Sequence, residues 1–150
     1  MTIQIRKAAI EDLPVVFSFE LGYIQEIEPA AEAAWKNSIP GLLRQWIDNL
    51  PRMYIAVHGT DPVGHFFWQL EGKTALLASI YVSPSYRRKG IGLLLLKRYE
   101  QDARENGFPQ LKIGVHESNP ASGLYKAAGY HYSRSKDEYD YYEKDLAAEK

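Results

Sequence analysis

An apolar run from Thr74 to Val82 leads into a basic, glycine-containing loop, Arg87-Arg88-Lys89-Gly90-Ile91-Gly92, and a helical pattern starts inside that loop. Strand, loop and helix in this order constrain the chain strongly. A helix start presents N–H groups with no partner in the helix, and the dipole adds partial positive charge, so the loop is an anion site. Gly90 and Gly92 let backbone approach an anion with no Cβ between them, and Arg87, Arg88 and Lys89 supply cations. Two other phosphate loops are excluded. A Walker A loop ends in Gly-Lys-Ser/Thr, whereas Leu93 follows Gly92, and the dinucleotide fingerprint needs a small residue where Leu95 stands. Alone, the pattern also fits a solvated basic loop with a capping glycine.

The surrounding sequence supplies an α/β frame. Ile3 and Ile5 alternate with Gln4 and Arg6, as in a half-buried strand. Glu11-Asp12-Leu13-Pro14 reads as a helix start, with Val16, Phe17, Leu21 and Ile24 at near-helical spacing. Glu26 to Ser38 is alanine-rich and helical in part, interrupted by Pro29, and a second helix follows Pro40 and stops at Pro51. Met53–Val57 and Val63–Leu70 read as strands around a turn at Gly59-Thr60-Asp61, and Glu71-Gly72-Lys73 turns the chain into Thr74–Val82. A helix from Ile91 to Asn106 carries a Glu100/Arg104 pair and is closed by Asn106-Gly107. Leu111–Val115 is a buried strand, Asn119-Pro120 opens a helix that Gly129 ends, and Tyr130–Ser133 and Tyr139–Leu146 are tyrosine-rich terminal strands. No repeat or linker divides residues 1–150, so one domain is expected.

Composition removes several classes of function. With no cysteine, thiol catalysis, thiolate metal sites and disulfides are excluded, and the four histidines show no metal-ligand spacing. No metal is therefore expected. A net charge of −1 and only three consecutive bases do not make a nucleic-acid surface, which needs many phosphate contacts. No apolar run is long enough to span a membrane, and the N-terminus has no targeting pattern, so the expected location is the cytoplasm.

A second motif stands downstream: Asn119, Tyr125, and Gly129-Tyr130. Together with Arg87, Gly90 and Gly92, preceded by Val82 and Pro84, it resembles the two signature motifs of the GNAT superfamily of acetyltransferases, with Ser122 where the family usually carries alanine. The resemblance spans the chain and is weakest between Leu21 and Leu50. It implies a single N-acetyltransferase domain over residues 1–150: an α/β fold with a mixed sheet of about seven strands, a splayed parallel pair and about four helices.

The resemblance also implies roles. Amides of the Arg87–Gly92 loop would hold the pyrophosphate of acetyl-CoA. The backbone of Ile80, Tyr81 and Val82 would pair with the pantetheine arm, and the Val82 amide would stabilise the oxyanion. Tyr125 would protonate the leaving sulfur, although it also reads as packed core. Asn119 reads as a helix cap, as a partner of the pantetheine arm, or as both. Ser122 and Lys126 fall beside the cofactor, Lys126 reading equally as a solvated side chain. The general base stays open among Tyr81, His116, Glu117, Glu26, Glu28 and a bound water. Acids Glu20, Glu26, Glu28 and Glu32 beside Tyr23, Trp35 and Trp46 suit a cationic amine acceptor, or are simply a solvated acidic face. His65 and Trp68 could line the same pocket. The acceptor is expected to be a small-molecule amine or a protein amine, and the tyrosine-rich terminal strands offer a homodimer surface. The alternative is an acyl-CoA-binding sensor without turnover.

Overall fold

The computed structural model describes residues 1–148. The chain runs β1 (Ile3–Lys7), α1 (Leu13–Ile27), α2 (Glu32–Asn37), α3 (Ile39–Asp48), β2 (Met53–His58), β3 (Asp61–Glu71) and β4 (Thr74–Val82). It continues through α4 (Ile91–Glu105), β5 (Gln110–His116), α5 (Ser122–Ala127), β6 (His131–Lys136) and β7 (Tyr139–Asp145). The strands form one seven-stranded sheet in the order β1-β2-β3-β4-β5-β7-β6, with only β4 and β5 parallel. The alanine-rich stretch resolves into α2, separated from α1 by a 3-10 turn beginning at Pro29.

Strand alternation divides the core between the two faces of the sheet. Tyr54 and Ala56 of β2, Phe66 and Trp68 of β3, and Ala75 and Leu77 of β4 pack with Leu95, Leu96 and Tyr99 of α4. Met53, Ile55 and Val57 of β2 and Phe67 of β3 face the other way, against Val16 of α1 and Trp46 of α3. Under α4 a buried carboxylate is fully used: Asp102 accepts from Tyr54 Oη at 2.7 Å and from Trp68 Nε1 at 2.8 Å.

Two expectations need correction. The segment after Asn119 does not enter the helix at once. Asn119 Oδ1 accepts the Ala121 N–H at 3.0 Å, α5 starts only at Ser122, and its cap position is Ala121. Asn119 therefore makes an Asx turn, the local alternative its short side chain offers to helix capping. Likewise Tyr130 is not the start of the last hairpin. It is 3% exposed and donates to Glu100 Oε2 at 2.7 Å, while β6 runs His131–Lys136 and turns at Asp137 and Glu138, both at positive φ (53 and 70). Positive φ at both turn positions matches the twist of a tight hairpin.

The sheet opens at its centre. β4 and β5 pair only from Thr74↔Gln110 to Leu77↔Ile113. Beyond that point β4 stays with β3 as far as Val82↔Gly64, and β5 stays with β7 as far as His116↔Tyr139. The cause lies in β4. Phe67 pairs with Ser79 and Trp68 with Leu77, which leaves Ala78 as an extra residue. Such a bulge bends its strand, and this one falls where β4 leaves β5.

Candidate active site

A cleft of about 530 Å³ fills the gap between the diverging strands and reaches the start of α4. Ile80, Tyr81 and Val82 line it on one side, and Asn119, Leu124 and Tyr125 on the other. Arg87, Arg88, Gly90, Ile91 and Gly92 line it at the loop, and Tyr23, Glu26 and Ile27 at the end of α1. The sequence motifs, nearly forty residues apart, thus meet across one cavity.

The loop has the expected backbone. Gly90 is the cap of α4, in the left-handed region at φ 80, and no side chain caps the helix. A left-handed residue followed by helical ones curls successive N–H groups around an anion. Arg88 also has positive φ (62), which a non-glycine residue adopts only at a cost of about 1 kcal/mol or more. A Cβ on Gly92 would lie 3.6 Å from Leu124 Cδ2, so a larger side chain there would extend into space the cleft occupies. The donor edge is present as well. Ser83 donates its N–H to Val63 O on β3 at 2.8 Å, so the N–H of Val82, one residue back, points into the splay. A long anionic thioester with a linear amide-bearing arm fits this set: an unpaired strand edge beside a helix-start anion site.

Arg87 departs from its expected use. Its Nε donates to Val82 O at 2.9 Å, and its terminal nitrogens grip Glu26 at 2.5 and 2.6 Å. The guanidinium lies 5.3 Å from the centre of the Tyr81 ring. Arg87 therefore ties the loop to α1, while Arg88, Gly90, Ile91 and Gly92 line the cleft at the start of α4. The paired guanidinium holds the Glu26 carboxyl below its ordinary range. Lys89, Ser122 and Lys126 are not among the residues lining the cleft, and Lys126 Nζ instead stands 5.8 Å from the Tyr142 ring on β7.

Tyr125 is 3% exposed, and among the described residues its hydroxyl has no hydrogen-bond partner. Burial alone pushes its pKa well above the ordinary 10.0, so it holds its proton at neutral pH. It borders both the cleft and a second cavity of about 100 Å³, which lies deeper along the splay.

The base candidates fare unequally. Tyr81 is raised by burial and packs its hydroxyl over α1, where a Cβ on Gly22 would come within 2.7 Å of Oη. Glu26 is committed to Arg87. Glu28 Oε2 accepts from both Tyr23 Oη at 2.8 Å and Tyr139 Oη at 2.5 Å. His116 Nδ1 contacts Ser118 Oγ at 2.8 Å, and the exposed Glu117 lines neither cavity. Sequence reasoning overlooked Ser79 and Tyr139, which line the second cavity, because strand alternation counted past the bulge assigns Ser79 to the wrong face. Trp68 is buried core, bonded to Asp102 rather than facing a pocket.

The chain's likenesses to known proteins point one way. The model of the Acetyltransferase (GNAT) family matches residues 20–130. A thialysine N-epsilon-acetyltransferase of Bos taurus is 40% identical over 60 residues, 39% of this chain and 35% of that protein. The uncharacterized protein YyaT of Bacillus subtilis is 30% identical over 79 residues, 53% of this chain and 52% of that one. The matched stretches thus span about half the length, or less, of these curated relatives. Among solved structures, the PaiA N-acetyltransferase of Thermoplasma acidophilum in complex with coenzyme A superposes with a TM-score of 0.84 at 21% identity, over 97% of this chain and 99% of that one. The ribosomal-protein-alanine N-acetyltransferase of Brucella melitensis gives 0.75 at 23% identity, over 95% and 99%. At such identities the superpositions speak for the fold alone.

Proposed function

Since the chain belongs to the GNAT family of acetyltransferases, we propose that it transfers an acetyl group from acetyl-CoA to a primary amine by direct attack in a ternary complex. The observation that carries this reading is Tyr125: the hydroxyl of a buried tyrosine, kept protonated and without a hydrogen-bond partner among the described residues, on the wall common to two adjoining cavities. The larger cavity suits the cofactor and the smaller one the reacting amine.

Acetyl-CoA, when bound, supplies the activated acetyl thioester. Amides at the start of α4, with Arg88, hold its pyrophosphate, while the free edge of β4 at Ile80–Val82 pairs with the pantetheine arm. The Val82 N–H receives the negative charge that develops on the carbonyl oxygen, which a preorganised donor stabilises more than bulk water does. Tyr125 gives its proton to the departing sulfur. The acceptor is a small-molecule amine or an amine on a protein, and the name of the thialysine relative favours an ε-type amine. This reading locates the protein in the cytoplasm. A homodimer through β6, an exposed edge strand, completes it, and sedimentation measures that.

The test is a panel of primary amines incubated with acetyl-CoA and protein, read as released thiol. Turnover with at least one amine supports the reading. A rise in Tm with acetyl-CoA but no thiol release from any amine would instead mark the protein as an acyl-CoA sensor.

A further inference from the structure

Glu20 of α1 lines the smaller cavity and is the only carboxylate or cation among the residues that do. Ser79, Gly114 and Tyr139 close that cavity, and Ile80, Asn119 and Tyr125 connect it to the cleft. Glu20 is held from behind. Its Oε1 lies 3.0 Å from Nε2 of His65, a fully buried β3 residue stacked on Phe19 with ring centres 5.4 Å apart.

The other ring nitrogen decides the charge of this pair. Among the described residues, His65 Nδ1 is buried with no hydrogen-bond partner. A cationic ring would bury an Nδ1–H donor with nothing to accept it, whereas a neutral ring protonated on Nε2 leaves only a lone pair unmet and still donates to Glu20. The dyad therefore carries the full negative charge of Glu20. The remaining titratable groups on the cavity wall are the phenols of Tyr23, Tyr125 and Tyr139, which burial keeps neutral. The nearby cation, Arg87, is already bound to Glu26. One uncompensated carboxylate thus faces a cavity of about 100 Å³. A small alkylammonium group complements that charge.

We propose that Glu20 receives the acceptor's ammonium group and takes its proton, with His65 as the positioning residue. This rests on the acetyl-transfer reading. One ammonium N–H bond breaks, and its proton forms the O–H of Glu20. The freed nitrogen pair makes the new C–N bond while the C–S pair leaves on sulfur and takes the proton of Tyr125. The second nitrogen proton restores Tyr125, and Glu20 releases its own to water.

The test measures thiol release with n-butylamine in the wild type, Glu20→Gln, His65→Gln and His65→Leu. Glu20→Gln should lose on the order of a hundredfold with the acetyl-CoA-induced rise in Tm unchanged. His65→Gln, which keeps a donor near the Nε2 position, should stay within tenfold of wild type, and His65→Leu should fall with Glu20→Gln. Turnover by the wild type with Glu20→Gln within threefold overturns this inference and leaves acetyl transfer standing. If no amine turns over, acetyl transfer itself fails, and the dyad is judged by NMR. Titrating n-butylammonium chloride into the protein–CoA complex should shift the His65 ring signals in the wild type and not in Glu20→Gln. An unresponsive wild type sinks the proposal.

Discussion

Replacing Tyr125 with phenylalanine separates chemistry from packing, because this hydroxyl has no bond to lose. Its ring packs edge-on to Tyr130 with centres 6.2 Å apart, and Phe keeps that contact. With no hydrogen-bond partner among the described residues, removing the oxygen should change stability by no more than about 0.5 kcal/mol. Tyr99 is the control. It is equally buried, but its hydroxyl donates to Ala75 O at 2.6 Å, so Tyr99→Phe should cost about 1 kcal/mol. In kcat the order reverses. General acid catalysis contributes ~10²–10⁴-fold, or about 3–5 kcal/mol of barrier, so Tyr125→Phe should lower kcat by at least a hundredfold while acetyl-CoA binds as before. The pH dependence has a definite sign. Burial raises the Tyr125 pKa above 10.0, so the acid stays protonated and wild-type kcat should show no alkaline loss from this group up to about pH 10. Urea melts and thiol-release kinetics on the two variants provide the measurements. A kcat within threefold of wild type, or an alkaline limb below pH 9 that vanishes in Tyr125→Phe, would refute Tyr125 as the acid.

Gly92→Val should abolish the rise in Tm that acetyl-CoA produces while leaving the melt of the free protein nearly unchanged, since a Cβ there meets Leu124 at ordinary contact distance; unchanged CoA affinity by calorimetry would show that the loop is not the anion site. Asp102→Ala strands two buried donors, Tyr54 Oη and Trp68 Nε1, and should cost about 3 kcal/mol in urea denaturation. Arg6 lowers the Asp12 carboxyl and Arg87 lowers that of Glu26, chiefly through hydrogen bonds, so both contribute stability above their ordinary values of 3.8 and 4.5 that is lost as pH falls through the lower folded values. The unfolding free energy should therefore decline below about pH 4, and Asp12→Asn should reduce it by about 1 kcal/mol at pH 7 and flatten the acid limb, as followed by thermal melts across pH.

Much of the loop side of the cleft was legible in the residues. The run Thr74–Val82 gave the bounds of β4 as observed, and the helix beginning at Ile91 gave α4 to within a residue of its end. Gly90 adopts the left-handed backbone its residue type allows, and Tyr125 stands on α5 facing the cleft. These features are settled within a few residues, by φ preference, hydrophobic period and helix-end donors. Local rules erred where two local solutions compete, as at Asn119, where an Asx turn displaced a helix cap.

What the sequence determined by itself was therefore a glycine-containing loop at a helix start, a Tyr125 helix and an α/β order of elements. Tertiary structure decided the rest. The bulge at Ala78 depends on how β3 and β4 align, and it turns Ser79 and Tyr81 toward α1 and opens the sheet. Arg87 is claimed by Glu26, 61 positions away, and Glu20 is joined to His65 across 45. Pairings at such separations have no period and no local propensity. They exist only once α1 is packed on the sheet, which is why the loop and the Tyr125 helix could be read along the chain and these pairings could not.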